Sequence, residues 1–281
     1  MIIVADSGST KADWKVIQSD RVESLSTMGF NPVLHTDQLI AKEVAKAFES
    51  LWQAQHAKSV YFYGSGCWDT KRKSVIIKAL SQYFTQANIE VQHDLLAAAR
   101  ATCGTQEGIA CIMGTGSNTC LFDGVQVTDN VTNLGYFLGD EGSGSHLGKK
   151  LVRAYFYREL PAELEIALEE QFPGGKMEIL DEVYEGAQPN VFLASLTRFL
   201  AKHKAHFFVQ RLIYSSFVEF IDRHVRKYPG HLRMPVHFIG SVAFHFQEIV
   251  KTVLEERNIQ VGRFIQKPID HLVQYHTTTA N

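Results

Sequence analysis

The sequence predicts an α/β fold built from two related domains. Three observations carry this expectation. The chain opens on a buried strand, a small-residue turn and a return strand. The same unit comes back at residues 109–122. Between and after the two copies, short β-branched runs alternate with stretches of helical periodicity.

Ile2 to Ala5 is a short apolar run and reads as a buried strand. Asp6-Ser7-Gly8-Ser9-Thr10 is a turn cluster, after which Trp14-Lys15-Val16-Ile17 resumes an extended pattern and residues 21–28 make a third strand. Leu39, Ile40, Val44, Ala47, Phe48, Leu51 and Trp52 then recur at helical spacing. Val60 to Tyr63 is a strand ending at Gly64-Ser65-Gly66, a helix covers 70–86, and Ile89 to His93 is a strand that stops at Asp94. A short alanine-rich helix, Leu95 to Thr102, follows.

The second copy begins with Ile109-Ala110-Cys111-Ile112-Met113, turns at Gly114-Thr115-Gly116-Ser117 and returns along Thr119 to Phe122. Asp123-Gly124 signals a hairpin leading into Val125 to Val127. Helices are predicted at 145–159, 162–171, 190–203 and 206–228, with Pro161, Pro173, Pro189 and Pro229 between or after them. A strand at Val236 to Ile239, a helix near 245–257, a strand at 261–265 and a helix at 269–276 complete the chain. The repeat places a domain boundary near residues 104–108.

Composition narrows the function classes. The 281 residues are 45% hydrophobic and 21% charged, as in soluble globular proteins. With 28 basic and 30 acidic residues the net charge is -2, which supplies no attraction to nucleic acid or an anionic membrane. Cys67, Cys103, Cys111 and Cys120 form no CxxC pair, the amino terminus lacks a basic region, and no apolar run reaches membrane-spanning length. A cytoplasmic protein is the expectation. The spacing of His203 and His206 lacks companion ligands, so a solvated helix face is expected there and not zinc.

The turns carry the chemistry. In Asp6-Ser7-Gly8-Ser9-Thr10-Lys11, small residues let the backbone approach an anion, so that N–H groups face phosphate oxygens. Asp6 is suited to orient a hydrated Mg²⁺ bridging phosphates. Gly114-Thr115-Gly116-Ser117 reads the same way. Either turn alone is more often an ordinary hairpin; the repetition makes a pair that would clamp a polyphosphate such as ATP. Asp94, between a strand and a helix, suits a general base or, on bare sequence, a helix N-cap.

These motifs resemble the superfamily of acetate and sugar kinases, Hsp70 and actin, and within it the N-acetylglucosamine kinases and related BadF/BadG-type ATPases. The resemblance rests on Ala5 to Lys11, on Gly114 to Ser117, on Gly139-Asp140-Glu141-Gly142-Ser143 and on Phe238-Ile239-Gly240-Ser241-Val242, in the family's order over nearly the whole chain. It implies a two-domain actin-like ATPase fold, with ribonuclease H-like duplicated domains of mixed sheets flanked by helices. These would span 1–106 and 107–281, with the terminal helix able to pack back on the first.

The resemblance also assigns roles. Ser7, Gly8, Ser9, Thr10, Lys11, Gly114, Thr115, Gly116, Gly240 and Ser241 would bind ATP, and Asp6 would hold Mg²⁺ through water. Asn31, Asp94, Ser117 and Asp140 would contact the sugar, Asp140 through two vicinal hydroxyls, and Asp94 would be the catalytic base. A homodimer is implied. The expected reaction is phosphorylation of an amino sugar, N-acetylglucosamine at the 6-hydroxyl. Two departures stand out: His93 precedes Asp94 where the family has Asn, and Asn133-Leu134-Gly135-Tyr136 stands in place of Gly-Gly-Trp-Gly. Two other functions compete. An ATPase activator of a radical enzyme would need cysteines at a shared iron–sulfur cluster, whereas Cys111 and Cys120 fall in predicted core strands. A silent sugar sensor or repressor would be expected to carry a helix-turn-helix or a zinc motif, and neither is legible.

Overall fold

Ile3, Val4 and Ala5 are fully buried in consecutive positions, as befits a strand covered on both faces. This strand organises the first of two compact units, Met1–Gly104 with Pro268–Asn281; the second is Thr105–Lys267. The computed structural model describes residues 1–8, 11–19 and 21–279.

In the first unit β1 (Ile2–Ser7), β2 (Lys11–Gln18) and β3 (Arg21–Met28) form an antiparallel meander. Helix α1 (Asp37–Ala47) follows, capped by Thr36, whose hydroxyl accepts from the Leu39 N–H. The helical spacing read from Leu39 to Trp52 is not one helix: Leu51 takes φ -116 inside a 3₁₀ stretch at Glu49–His56. Then come β4 (Ser59–Gly64), α2 (Thr70–Ser81), β5 (Asn88–His93) and α3 (Asp94–Cys103). The sheet order is β3-β2-β1-β4-β5, with β4 and β5 parallel to β1. Trp14 anchors the core, 5.4 Å from the ring of Phe48 and 5.9 Å from that of Phe62.

The second unit repeats the plan with β6 (Glu107–Met113), β7 (Ser117–Asp123) and β8 (Val127–Asp129). The one-turn helix α4 (Gly135–Leu138) leads to α5 (Gly144–Phe156), α6 (Ala162–Gln171), α7 (Gly175–Tyr184), α8 (Pro189–Ser195), α9 (Thr197–Lys202) and α10 (Phe207–Arg223). Strand β9 (Val236–Ile239), helices α11 (Ser241–His245) and α12 (Gln247–Glu255), and strand β10 (Val261–Ile265) finish the unit. Its sheet order is β10-β9-β6-β7-β8, the same connectivity as the first unit. The duplication read from the turns therefore extends to whole sheets.

Helix α7 is not among the helices the sequence predicts, although Ile179, Leu180 and Val183 recur at helical spacing; of these only Ile179 is fully buried. The helix expected over 190–203 breaks at Leu196. There the Ser195 and Thr197 hydroxyls return to the Phe192 and Ala194 carbonyls and compete with the helical ladder. Within α10, Phe217, Phe220 and Ile221 are core, whereas Phe207 is exposed. No described helix is long and apolar enough to cross a membrane.

Helix α13 (Ile269–Thr279) closes the chain as part of the first unit, so the second ends at Lys267 and not at the carboxy terminus. Its attachments explain this. The His276 ring stacks on Tyr61 at 3.6 Å and its Nε2 meets the Tyr63 hydroxyl at 2.7 Å. Asp270 pairs with Lys15, and Leu272 is fully buried.

Candidate active site

In the first unit the polar residues gather at the carboxy ends of β1, β4 and β5, where a parallel arrangement leaves loops free to bind. Asp6 is the penultimate residue of β1, in register with Asp13 and Tyr63. Ser7 is buried, and its Oγ accepts from the Phe30 N–H at 2.8 Å while also lying 3.3 Å from the Phe30 carbonyl. The Ser7 hydroxyl is thus a strut that holds the Asn31 loop. Gly8 is exposed and turns the chain by donating its N–H to the Lys11 carbonyl. Lys11 pairs with Asp13 at 2.7 Å with more than half its side chain exposed. Ser9 and Thr10 lie outside the described residues.

Asn31 forms an Asx turn, its Oδ1 accepting the Val33 N–H at 2.9 Å. The same oxygen lies where a Cβ on Gly66 would come within 2.6 Å, and Gly66 sits at φ +84, so only glycine fits this close approach. The Gly64–Cys67 loop is thus built against Asn31, and the Ser65 N–H donates to the Ser7 carbonyl at 3.1 Å.

Asp94 is the first residue of α3, not its cap. The cap is His93, whose Nδ1 accepts the Leu96 N–H at 3.2 Å. Burial, with Lys73 and Arg100 nearby, pushes His93 down to about 4, which keeps the ring neutral and its lone pair available for that role. The Asp94 Oδ1 accepts the Leu95 N–H at 2.9 Å. Burial holds its carboxyl above the ordinary carboxylate range, against the pull of that N–H. Burial, reinforced by the Asp94 charge, also pushes the neighbouring Cys67 thiol up to about 12.

In the second unit the predicted residues converge. Gly114 donates within its own turn to the Gly116 carbonyl, and the turn is pinned from behind by the first amides of α5. The Gly144 N–H donates to the Gly114 carbonyl at 2.8 Å and the Ser145 N–H to the Thr115 carbonyl at 3.0 Å. Thr115 remains exposed. Gly240, at φ 116, packs its Cα on the Met113 carbonyl, which brings the Gly240-Ser241 turn beside Gly114. Ser241 is exposed at the start of α11.

Asp140 is buried and takes the left-handed φ of 59. Its Oδ1 accepts from the Ser117 N–H at 3.2 Å and from Asn133 Nδ2 at 2.7 Å. Burial raises the carboxyl, and the Ser117 N–H and Lys149 pull the other way. Its carboxylate lies against Gly116, where a Cβ would come 3.0 Å from Oδ2. Gly116 thus makes room for Asp140, beyond any service to a phosphate. Ser117 does not present its hydroxyl as a free sugar contact: buried, it donates to the Glu141 carbonyl at 2.8 Å.

Several supporting residues escaped sequence reading. Glu141 meets His224 Nε2 at 3.1 Å, and that hydrogen bond brings its carboxyl below the ordinary range although burial opposes it. His146 Nδ1 lies 3.3 Å from the Gly142 N–H and 2.7 Å from the Ser216 hydroxyl. Both histidines grip the Gly139–Ser143 segment, and Glu141 inside that signature was the one available clue. Among the described residues no group of three or more His, Cys, Asp or Glu side chains is placed to hold a metal ion. His206 instead caps α10 and pairs with Glu163.

The buried histidines are expected to make the protein acid-sensitive. His93, His146, His237 and His276 are each held down to about 4, chiefly by burial. The unfolded chain takes up these protons near pH 6.5, so stability is complete above that value and falls as pH drops toward 4. Each site is expected to cost on the order of 1–2 kcal/mol by pH 5. Thermal melts at pH 7.5 and 5.0 check this, and equal melting temperatures would refute it.

No protein-family model and no curated protein matches the chain. Among solved structures it is similar to a candidate N-acetylglucosamine kinase from Porphyromonas gingivalis, 38% identical over 100% of both chains with a TM-score of 0.93. A second candidate N-acetylglucosamine kinase, from Chromobacterium violaceum, is 17% identical over 98% of each chain with a TM-score of 0.72. A ROK-family glucokinase from Streptomyces griseus, solved with glucose and AMPPNP, is 13% identical over 94% of this chain and 93% of its own, with a TM-score of 0.53. The latter two likenesses concern fold alone. Two mixed sheets of matching connectivity, with glycine turns after their first strands, define a two-domain actin-like ATPase fold. The chain belongs to the N-acetylglucosamine kinase family, whose members share this sugar-kinase, actin-like ATPase fold.

Proposed function

We propose that this protein is an ATP-dependent carbohydrate kinase acting on an amino sugar, with N-acetylglucosamine phosphorylated at the 6-hydroxyl as the leading case. The observation that supports it most is Asp94: a carboxylate at a helix N-terminus, kept by burial above the ordinary range and therefore a better proton acceptor. The likeness to a candidate N-acetylglucosamine kinase at 38% identity supports the choice of acceptor.

In this reading the sugar hydroxyl oxygen bonds to the γ-phosphorus, its proton passes to Asp94, and the bond to the ADP oxygen breaks. Asp140 orients the sugar. Gly114 to Gly116 and Gly240-Ser241 accept the nucleotide through a backbone already braced by α5 and Met113. Asp6, the penultimate residue of β1, would hold Mg²⁺ through water. When bound, the ion neutralises charge on the transferring phosphoryl group. We place the protein in the cytoplasm as a homodimer. All four cysteines are buried, which disfavours the reading as an activator sharing an iron–sulfur cluster.

An ATP-coupled assay across hexoses and N-acetylhexosamines tests the proposal. N-acetylglucosamine should exceed glucose in kcat/KM by at least about tenfold, the discrimination of one well-placed polar contact. ADP release that no sugar stimulates, with an iron–sulfur chromophore in anaerobic protein, would overturn it in favour of the activator.

A further inference from the structure

We propose that Asn133 is a positioning residue that occupies one oxygen of Asp140, so that this carboxylate is offered to the sugar through Oδ2 alone and grips one hydroxyl. The inference rests on the kinase reading above and changes what that reading expects of Asp140, which on sequence was to take two vicinal hydroxyls, one on each oxygen.

Asn133 opens the segment where the chain departs from Gly-Gly-Trp-Gly. Asn133 is held at both ends of its amide: Nδ2 donates to Asp140 Oδ1 at 2.7 Å, and Oδ1 accepts the Gly135 N–H at 2.6 Å. Its orientation is therefore set by its own neighbours before any ligand arrives. Asp140 Oδ1 also accepts the Ser117 N–H at 3.2 Å. A carboxylate oxygen has about two lone-pair sites, so Oδ1 is filled and the remaining capacity lies on Oδ2. The carboxylate cannot easily turn to exchange its oxygens. Gly116 packs against it, and the Asp140 backbone is in a left-handed conformation that persists only where the surroundings over-determine it. A glycine at position 133 would supply neither the donor nor the brace.

Three variants of the full chain test this. Asn133→Ala should raise the KM for N-acetylglucosamine about tenfold, the loss of one charge-assisted hydrogen bond, with kcat and the KM for ATP within about twofold. Asn133→Asp keeps the shape but sets a second carboxylate against the first. Its KM should rise further, by roughly another tenfold at pH 7.5. A packing role predicts the reverse order, with the isosteric variant milder, and that order overturns the proposal. In Asn133→Ala and Asn133→Gly alike the unbraced carboxylate can offer either oxygen, so monodeoxy sugars should lose affinity weakly at two hydroxyl positions instead of strongly at the single position expected of the wild type. An unchanged deoxy profile counts against the latch.

A sugar-free readout separates this inference from the kinase reading. In a carboxyl NMR titration the Asp140 midpoint should move up in Asn133→Ala, because the ionised form loses a donor. An unmoved midpoint refutes the latch whatever the substrate proves to be. A moved midpoint with no sugar turnover upholds the latch and refutes the kinase.

Discussion

Replacing Asp94 by asparagine is expected to lower sugar phosphorylation by about 10²–10⁴-fold while nucleotide affinity stays within about threefold. The substitution keeps the shape and leaves an acceptor for the Leu95 N–H, so the start of α3 should survive. What disappears is the ability to take a proton as the oxygen–phosphorus bond forms. Stability should change little: the helix terminus loses a favourable charge, but a carboxylate that burial already disfavours is neutralised. The wild-type profile of kcat/KM should fall on the acid side with a midpoint above the ordinary carboxylate value, and this limb should vanish in Asp94→Asn. Steady-state kinetics and nucleotide titration read both arms. Turnover within tenfold of wild type would remove Asp94 from the role of base, and loss of nucleotide binding would recast it as structural.

The neighbouring residue shows where sequence reading reached its limit. A carboxylate between strand and helix has two ordinary uses, capping or chemistry, and residue type does not separate them. The structure removes the capping role, because His93 caps α3 and Asp94 lies one position further in. Histidine is an uncommon cap, and burial reinforces the neutral ring that the role requires, a property of the fold and not of the local sequence.

The sheets were easier to read, since β1 and β6 bury consecutive apolar residues before glycine turns. The hydroxyls were the hardest. Ser7 and Ser117 look like phosphate or sugar ligands in a motif, yet each is turned inward to a main-chain partner more than twenty positions away. Asn133 looked like the loss of a glycine, and its meaning emerged only with Asp140 at 2.7 Å. Local pattern identifies the elements, whereas these pairings are set by long-range closure.

Gly240→Ala is expected to destabilise the second unit by about 3–5 kcal/mol, a large share of the roughly 5–15 kcal/mol that stabilises a typical domain. Two costs combine. Gly240 sits at φ 116 and ψ 160, a region essentially reserved for glycine. A Cβ there would also lie 2.3 Å from the Met113 carbonyl oxygen and 3.2 Å from the Gly114 nitrogen. Neither neighbour can yield independently. Met113 ends the central strand of the sheet, and the Gly114 carbonyl is held by the Gly144 N–H. The displacement would therefore pass into the glycine turn and the start of α5, so nucleotide affinity should fall at least about tenfold alongside stability. Gly114→Ala supplies the control, because nothing lies within 4 Å of a Cβ at that position. Urea unfolding and nucleotide titration of both variants should separate them, Gly240→Ala unfolding early and Gly114→Ala staying close to wild type in stability. Coincident unfolding curves would mean that the Gly240 turn shifts without strain, and its close packing on Met113 could then no longer account for the shape of the nucleotide-side turn.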